Sequence, residues 1–180
     1  MNLKFSNKEF YKELESYLPT STAEKRIMWA TTIIDKDIDI KDLSKLLKCE
    51  HKIASRFLWL LSEIGLLSPN KLTNELPFLL ELSDHLNPAY KTSFATFWLI
   101  AGVPSENEGK AIDLLFQWLL SADTNVTIKS RSILVLFKLT KKHPELKNEL
   151  KLCLEDQKGR HTYDFEKRAT KILMKIDQFN

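Results

Sequence analysis

Glycine is scarce in this chain, with 4 residues in 180, and only 6 prolines stand beside them. Few positions can therefore take the left-handed backbone of tight hairpins, and there is little material for a phosphate-cradling loop. No Walker loop, dinucleotide fingerprint or Gly-x-Ser-x-Gly elbow is present, which removes the common nucleotide-binding and hydrolase motifs. Cysteine is limited to Cys49 and Cys153, far apart and without CxxC spacing, so no disulfide scaffold is expected. There is no His-Glu-x-x-His run. His51, His85, His143 and His161 are scattered near helix ends and read as surface or capping residues. No stretch of about 18 apolar residues exists to span a membrane. The opening Met1-Asn2-Leu3-Lys4-Phe5-Ser6 lacks the apolar run of a signal peptide. These absences lead us to expect a cytoplasmic protein with no membrane partner, no metal, no cofactor and no catalytic residue.

What is present suits a helical domain. Hydrophobic residues make up 43% of the chain and charged residues 28%, enough for a continuous core beneath a normal polar surface. We expect one domain over residues 1–180. The net charge of +3 is mild but uneven: from Lys129 to Asn180 there are 13 Lys and Arg against 7 Asp and Glu. The C-terminal third is therefore basic.

Helix punctuation runs the length of the chain. A helix is predicted from Ser6 to about Leu18, ended by Pro19. Ser21 with Glu24 reads as a capping box for a helix to about Asp35. Shorter and longer helices follow over Ile40 to Leu47 and over His51 to Leu66, the latter broken near Gly65. Others are predicted from Thr73, from Asn87-Pro88 to Gly102, from Ser105 (capping with Glu108) to Ala122, and from Asn125 to His143. Pro144 is expected at the first position of the next, and Asp164 opens the last. No alternating strand pattern competes.

The second helix of each pair carries a repeat. Ile128-Lys129-Ser130-Arg131 aligns with Phe165-Glu166-Lys167-Arg168, and earlier copies begin at Ala23 (with Arg26), Ile53 (with Arg56) and Tyr90. The steps are 30, 37, 38 and 37 residues, one helix pair each. An apolar residue followed by Arg and then small and aliphatic residues resembles the second helix of HEAT and armadillo repeats. The departures are Asn125 and Glu50 where an Asp often stands, and Ser93 in place of Arg in the middle copy. The segment from His143 to Met174 also resembles small bacterial HEAT-like proteins that sometimes carry an adenylosuccinate lyase label. The Ser-rich loop of that lyase family has no counterpart here. The resemblance implies an all-α fold, a right-handed α-α superhelix of about five HEAT-like helix pairs, with a concave face for binding.

On the helix from Ile128, residues Arg131, Lys138 and Lys142 fall on one narrow stripe, and Arg168, Lys171 and Lys175 repeat it on the last helix. In the N-terminal half Trp29 stands three residues after Arg26, and Trp59 three after Arg56. The expected binding residues are these ten, forming a groove that is aromatic with Arg at one end and basic at the other. Each has a structural alternative. The arginines can bind loop carbonyls, the lysines can be a solvated face, and Trp29 and Trp59 can be packing. Trp98 and Trp118 lie in apolar runs and read as core. The loop Asp156 to Thr162 reads as a turn, with phosphate binding as the alternative.

The function expected is a non-catalytic binding or scaffold module for a protein or peptide partner. The alternative is nucleic-acid binding through the basic C-terminal repeats. A third is a HEAT-like alkylpurine DNA glycosylase, a family similar in fold class. Its Trp followed closely by an acidic residue is not matched, since Trp29 precedes Ala30 and the other tryptophans precede Leu.

Overall fold

The computed structural model describes residues 7–178, and every regular element among them is helical. The all-α expectation holds, and no described helix is long and apolar enough to cross a membrane. The chain gathers into two compact units, Met1–Pro104 and Ser105–Asn180.

In the first unit α1 (Asn7–Tyr17) leads into a 3-10 turn, Leu18–Thr20, that accommodates Pro19. The predicted start at Ser6 lies outside the described residues. For α2 (Ala23–Asp35) the cap is Thr22, whose hydroxyl accepts from the Lys25 amide at 3.3 Å. Ser21, the expected cap, instead donates to the Leu18 carbonyl at 2.8 Å and closes the preceding turn. At the other end Asp37 takes a left-handed φ of 48°. The Ile38 amide reaches back to the Ile33 carbonyl and the Asp37 amide to that of Ile34, the paired bonds of a Schellman stop.

Short α3 (Ile40–Leu43), capped by Asp39, tightens into a 3-10 turn over Ser44–Lys48. The central element is α4 (His51–Leu67), which packs against α2. Gly65 does not break it. A β-carbon there would stand 2.6 Å from Leu72 Cδ2 and 3.3 Å from Ile100 Cγ2, so the glycine permits close approach rather than ending the helix. The helix predicted from Thr73 is two: α5 (Pro69–Thr73) and α6 (Leu76–Ser83). Thr73 ends α5, and its hydroxyl bonds the Pro69 and Ala101 carbonyls at 2.9 and 2.6 Å. The next expected helix is likewise divided into α7 (Pro88–Lys91) and α8 (Phe94–Ala101), and Gly102 at φ 90° stops it. Both α5 and α8 pack on α4. Phe57, Leu60, Leu61 and Ile64 of α4 are fully buried, as are Trp29 and Ile33 of α2 and Leu72 of α5.

The second unit holds α9 (Glu108–Leu120), α10 (Val126–Leu139), α11 (Leu146–Gln157) and α12 (Tyr163–Gln178). Asn125 caps α10 as expected, its side chain accepting from the Thr127 amide at 2.8 Å. Ser105 sits in a 3-10 turn, and the Glu108 carboxylate bonds Lys142 and His143 at 2.7 Å each. Pro144 lies in the turn ahead of α11, not in its first position. Helix α10 packs against α9, α11 and α12. Leu115, Leu119, Ile133, Leu136, Leu150, Leu154, Phe165 and Ile172 fill its core.

Candidate binding surfaces

The packing of α2 on α4 brings the first four candidate residues together, and it treats the two tryptophans differently. Trp29 is 1% exposed. Its indole N–H donates to Glu13 Oε1 of α1 at 2.8 Å, and Lys25 Nζ stands 5.1 Å from its ring while pairing with Glu13 at 3.5 Å. Its place as a ligand platform is corrected: α1 covers it, and it is core. Trp59, three residues after Arg56 as Trp29 is three after Arg26, is 51% exposed.

Two guanidiniums flank the Trp59 indole. The Arg56 guanidinium carbon lies 4.1 Å from the ring centre and that of Arg26 lies 5.1 Å away. Such contacts are worth ~0.5–2 kcal/mol each, more when desolvated. Arg26 is 7% exposed, and its Nη1 donates to the Ser21 carbonyl at 2.9 Å and hydroxyl at 3.3 Å. This is the structural role read as an alternative from sequence, an arginine tying its own helix to the preceding loop. Its Nε is buried without an acceptor. This Arg–Trp–Arg assembly sets an amphipathic ring at the surface with two cations beside it. Phe97 is buried while Ser93 and Thr96 are half-buried, so these three positions offer no aromatic surface.

In the second unit the lysine stripe is shorter than its spacing suggested. Helix α10 ends at Leu139, and Lys142 lies past it in the turn, where Glu108 holds its ammonium at 2.7 Å. Lys142 therefore leaves the stripe, because the helix that would have carried it has stopped. Arg131 is half-buried and Lys138 exposed on α10; Arg168, Lys171 and Lys175 are exposed on α12. Lys175 Nζ stands 5.8 Å from the Phe137 ring, which brings the α12 cations to α10. Beside them a hollow of about 310 Å³ is lined by Phe137, Thr140, Lys141, Pro144, Lys147 and Ile176. Periodicity gave no sign of it, because the turn between α10 and α11 builds one wall.

Sequence reasoning also missed Lys129. It is 3% exposed, with its ammonium 3.3 Å from Gln157 Oε1, and burial, reinforced by the Arg160 charge, pushes its pKa down. The sequence signal was there: residues 129, 133, 136 and 140 share one helix face, and Ile133, Leu136 and Thr140 are buried with it. The neighbouring loop has filled its own anion nest. The Gly159 and His161 amides both donate to Glu166 Oε1, at 3.0 and 3.4 Å, while Arg160 pairs with Asp156. The phosphate alternative for this loop loses its donors to a side chain of α12.

Both cysteines are free thiols. Tyr11 Oη lies 3.8 Å from Cys49 Sγ, and burial, the Cys49 contact and nearby charge push the phenol up to about 12. Among the described residues no group of three or more His, Cys, Asp or Glu is arranged to hold a metal ion. Comparison with protein-family models, with curated proteins and with solved structures returned no match.

Proposed function

We propose that this chain is a non-catalytic binding module for a protein or peptide, with Trp59 as its anchor. The observation that carries this is the half-exposed indole flanked by Arg26 and Arg56 from two packed helices. Tryptophan and arginine are the side chains most often found as binding hot spots, and a pre-braced ring loses little freedom when a partner covers it. The arginine edges suit a carboxylate next to the partner's contact residue. The repeat reading belongs to the same proposal: a right-handed α-α superhelix of about five HEAT-like pairs, in which the Arg26 and Arg56 positions recur. The packing of α2 on α4 supports it in the first unit, and that of α10 on α12 in the second.

A displayed pool of random peptides selected against the full chain tests the reading. The expected binders carry Asp or Glu beside an apolar residue and bind Trp59→Ala at least about tenfold more weakly, with helical content unchanged. A pool that yields no binders, or binders indifferent to Trp59→Ala and Arg56→Ala, removes Trp59 as the anchor. The exposed Arg168 and Lys171 favour nucleic acid as a second reading. That reading predicts oligonucleotide affinity falling steeply with salt.

A further inference from the structure

We infer that the second unit carries a separate docking pocket, at the end of α10, for a large apolar side chain set between carboxylates on an acidic peptide. Three of the pocket's lining residues are apolar: Phe137 of α10, Pro144 of the following turn and Ile176 of α12. At about 310 Å³ it lies at the small end of ligand-binding cavities, the size for one bulky side chain and not for an extended ligand.

Its rim carries one sign of charge. Lys141 and Lys147 line it, and the Lys175 ammonium stands over the Phe137 ring. Among the described residues neither Lys141 nor Lys175 meets a carboxylate. The nearby acids are committed elsewhere: Asp177 to Lys151 at 2.7 Å, Glu108 to Lys142 and His143, and Glu145 to His143 at 3.5 Å. The carbonyls ending α10 are also taken. Leu136 accepts from the Thr140 amide, Lys138 from Lys141, and Leu139 from both Lys142 and His143. The Lys141 and Lys175 ammoniums therefore set the potential at the mouth, and apolar walls beside these cations are complementary to an apolar residue with acidic neighbours. This site involves none of the residues around Trp59 and does not depend on that reading.

The test uses the full chain and the fluorescent peptide Gly-Glu-Asp-Phe-Glu-Asp. Controls replace Phe by Ser or all acids by Lys, and a single-stranded oligothymidylate is the polyanion control. Binding is followed by anisotropy and by amide and methyl NMR shifts. The expected result is saturable binding of the acidic peptide, with shifts at Thr140, Lys141 and Ile176. The double variant Lys141→Glu, Lys175→Glu, changed only at exposed positions, should bind at least about tenfold more weakly with helicity intact. The serine peptide should lose a similar factor. Four results overturn the pocket: no binding up to about 1 mM peptide, equal binding of the basic peptide, oligothymidylate binding with none by the peptide, or shifts confined to the Trp59 region. The last would leave the Trp59 anchor standing while removing this site.

Discussion

Arg56 and Trp59 stand three residues apart on one helix, with the guanidinium carbon 4.1 Å from the centre of the indole ring. On α2 Trp29, likewise three residues after an arginine, is 1% exposed. The two rings should therefore respond unequally to truncation. Trp29→Ala removes a fully buried side chain and leaves Glu13 without its indole donor, and should cost about 3–5 kcal/mol. Trp59→Ala loses half-exposed area and two cation contacts, and should cost less than about 2 kcal/mol. Urea unfolding of the two variants measures the difference. Equal losses would mean that Trp59 is structural and not presented for binding.

Lys129 is an ammonium inside the second unit with a neutral amide as its hydrogen-bond partner. Burying a charge without a carboxylate is unfavourable, so Lys129→Met should stabilise the chain by about 1–2 kcal/mol. For a chain of this length that is a melting-point gain of roughly 2–8 °C. The pH dependence has a definite sign. The folded pKa lies below the ordinary 10.5, so between those two values the unfolded chain holds more protons, and wild-type stability gains from this group as pH rises. The advantage of Lys129→Met should be full near neutral pH and shrink toward pH 10.5. A constant advantage across that range would mean that the group titrates alike in the folded and unfolded chain, so that burial does not shift it.

Helix placement was largely legible because it follows from local chemistry. Asn125 caps where an Asx residue ahead of an apolar run should cap, and Pro19 ends a helix. Arg26 and Arg56, singled out together from sequence, both reach the Trp59 ring. What sequence could not decide was which neighbour covers which face. Trp29 and Trp59 each follow an arginine by three residues, yet Trp29 is buried and bonds Glu13 of α1 while Trp59 is half-exposed. Gly65 looked like a stop because glycine ends helices, while its actual constraint comes from Leu72, on another helix. The pocket beside Phe137 depends on where α10 stops, and that stop was expected at His143 and lies at Leu139. Local signals marked the elements; contacts between elements assigned their roles.

Asp37 ends α2 in a left-handed conformation, at the position of a Schellman stop where glycine is the usual residue. Replacing it should give a fixed order of urea midpoints, with Asp37→Gly highest and Asp37→Val lowest, because a β-branched side chain is strained at this φ. The carboxylate adds a separate, pH-dependent contribution. Its hydrogen bond and ion pair with Lys71, at 2.7 Å, hold its pKa below the ordinary 3.8. A depressed carboxyl stabilises the fold above the unfolded pKa and loses that contribution as pH falls through the folded one. Wild type should thus exceed Asp37→Asn in stability at neutral pH and approach it as pH falls below the ordinary carboxylate range. A difference independent of pH would assign the whole effect to the backbone.

Gly65 sets two opposed effects against each other inside α4. An alanine in a helix interior is favoured over glycine by about 1 kcal/mol. Here the added carbon would come within 2.6 Å of Leu72 Cδ2 and 3.3 Å of Ile100 Cγ2, and Leu72 is fully buried. Overpacking of this kind costs about 1–3 kcal/mol, enough to exceed the gain in propensity. Gly65→Ala should therefore lower stability slightly, and Gly65→Val should lower it further, although valine would be tolerated on an exposed helix face. The compensating pair settles the cause. Gly65→Ala combined with Leu72→Ala should lose less than the sum of the single losses, because the second change removes the atoms the first one meets. Additive losses would place the constraint in the α4 backbone and not in its approach to α5.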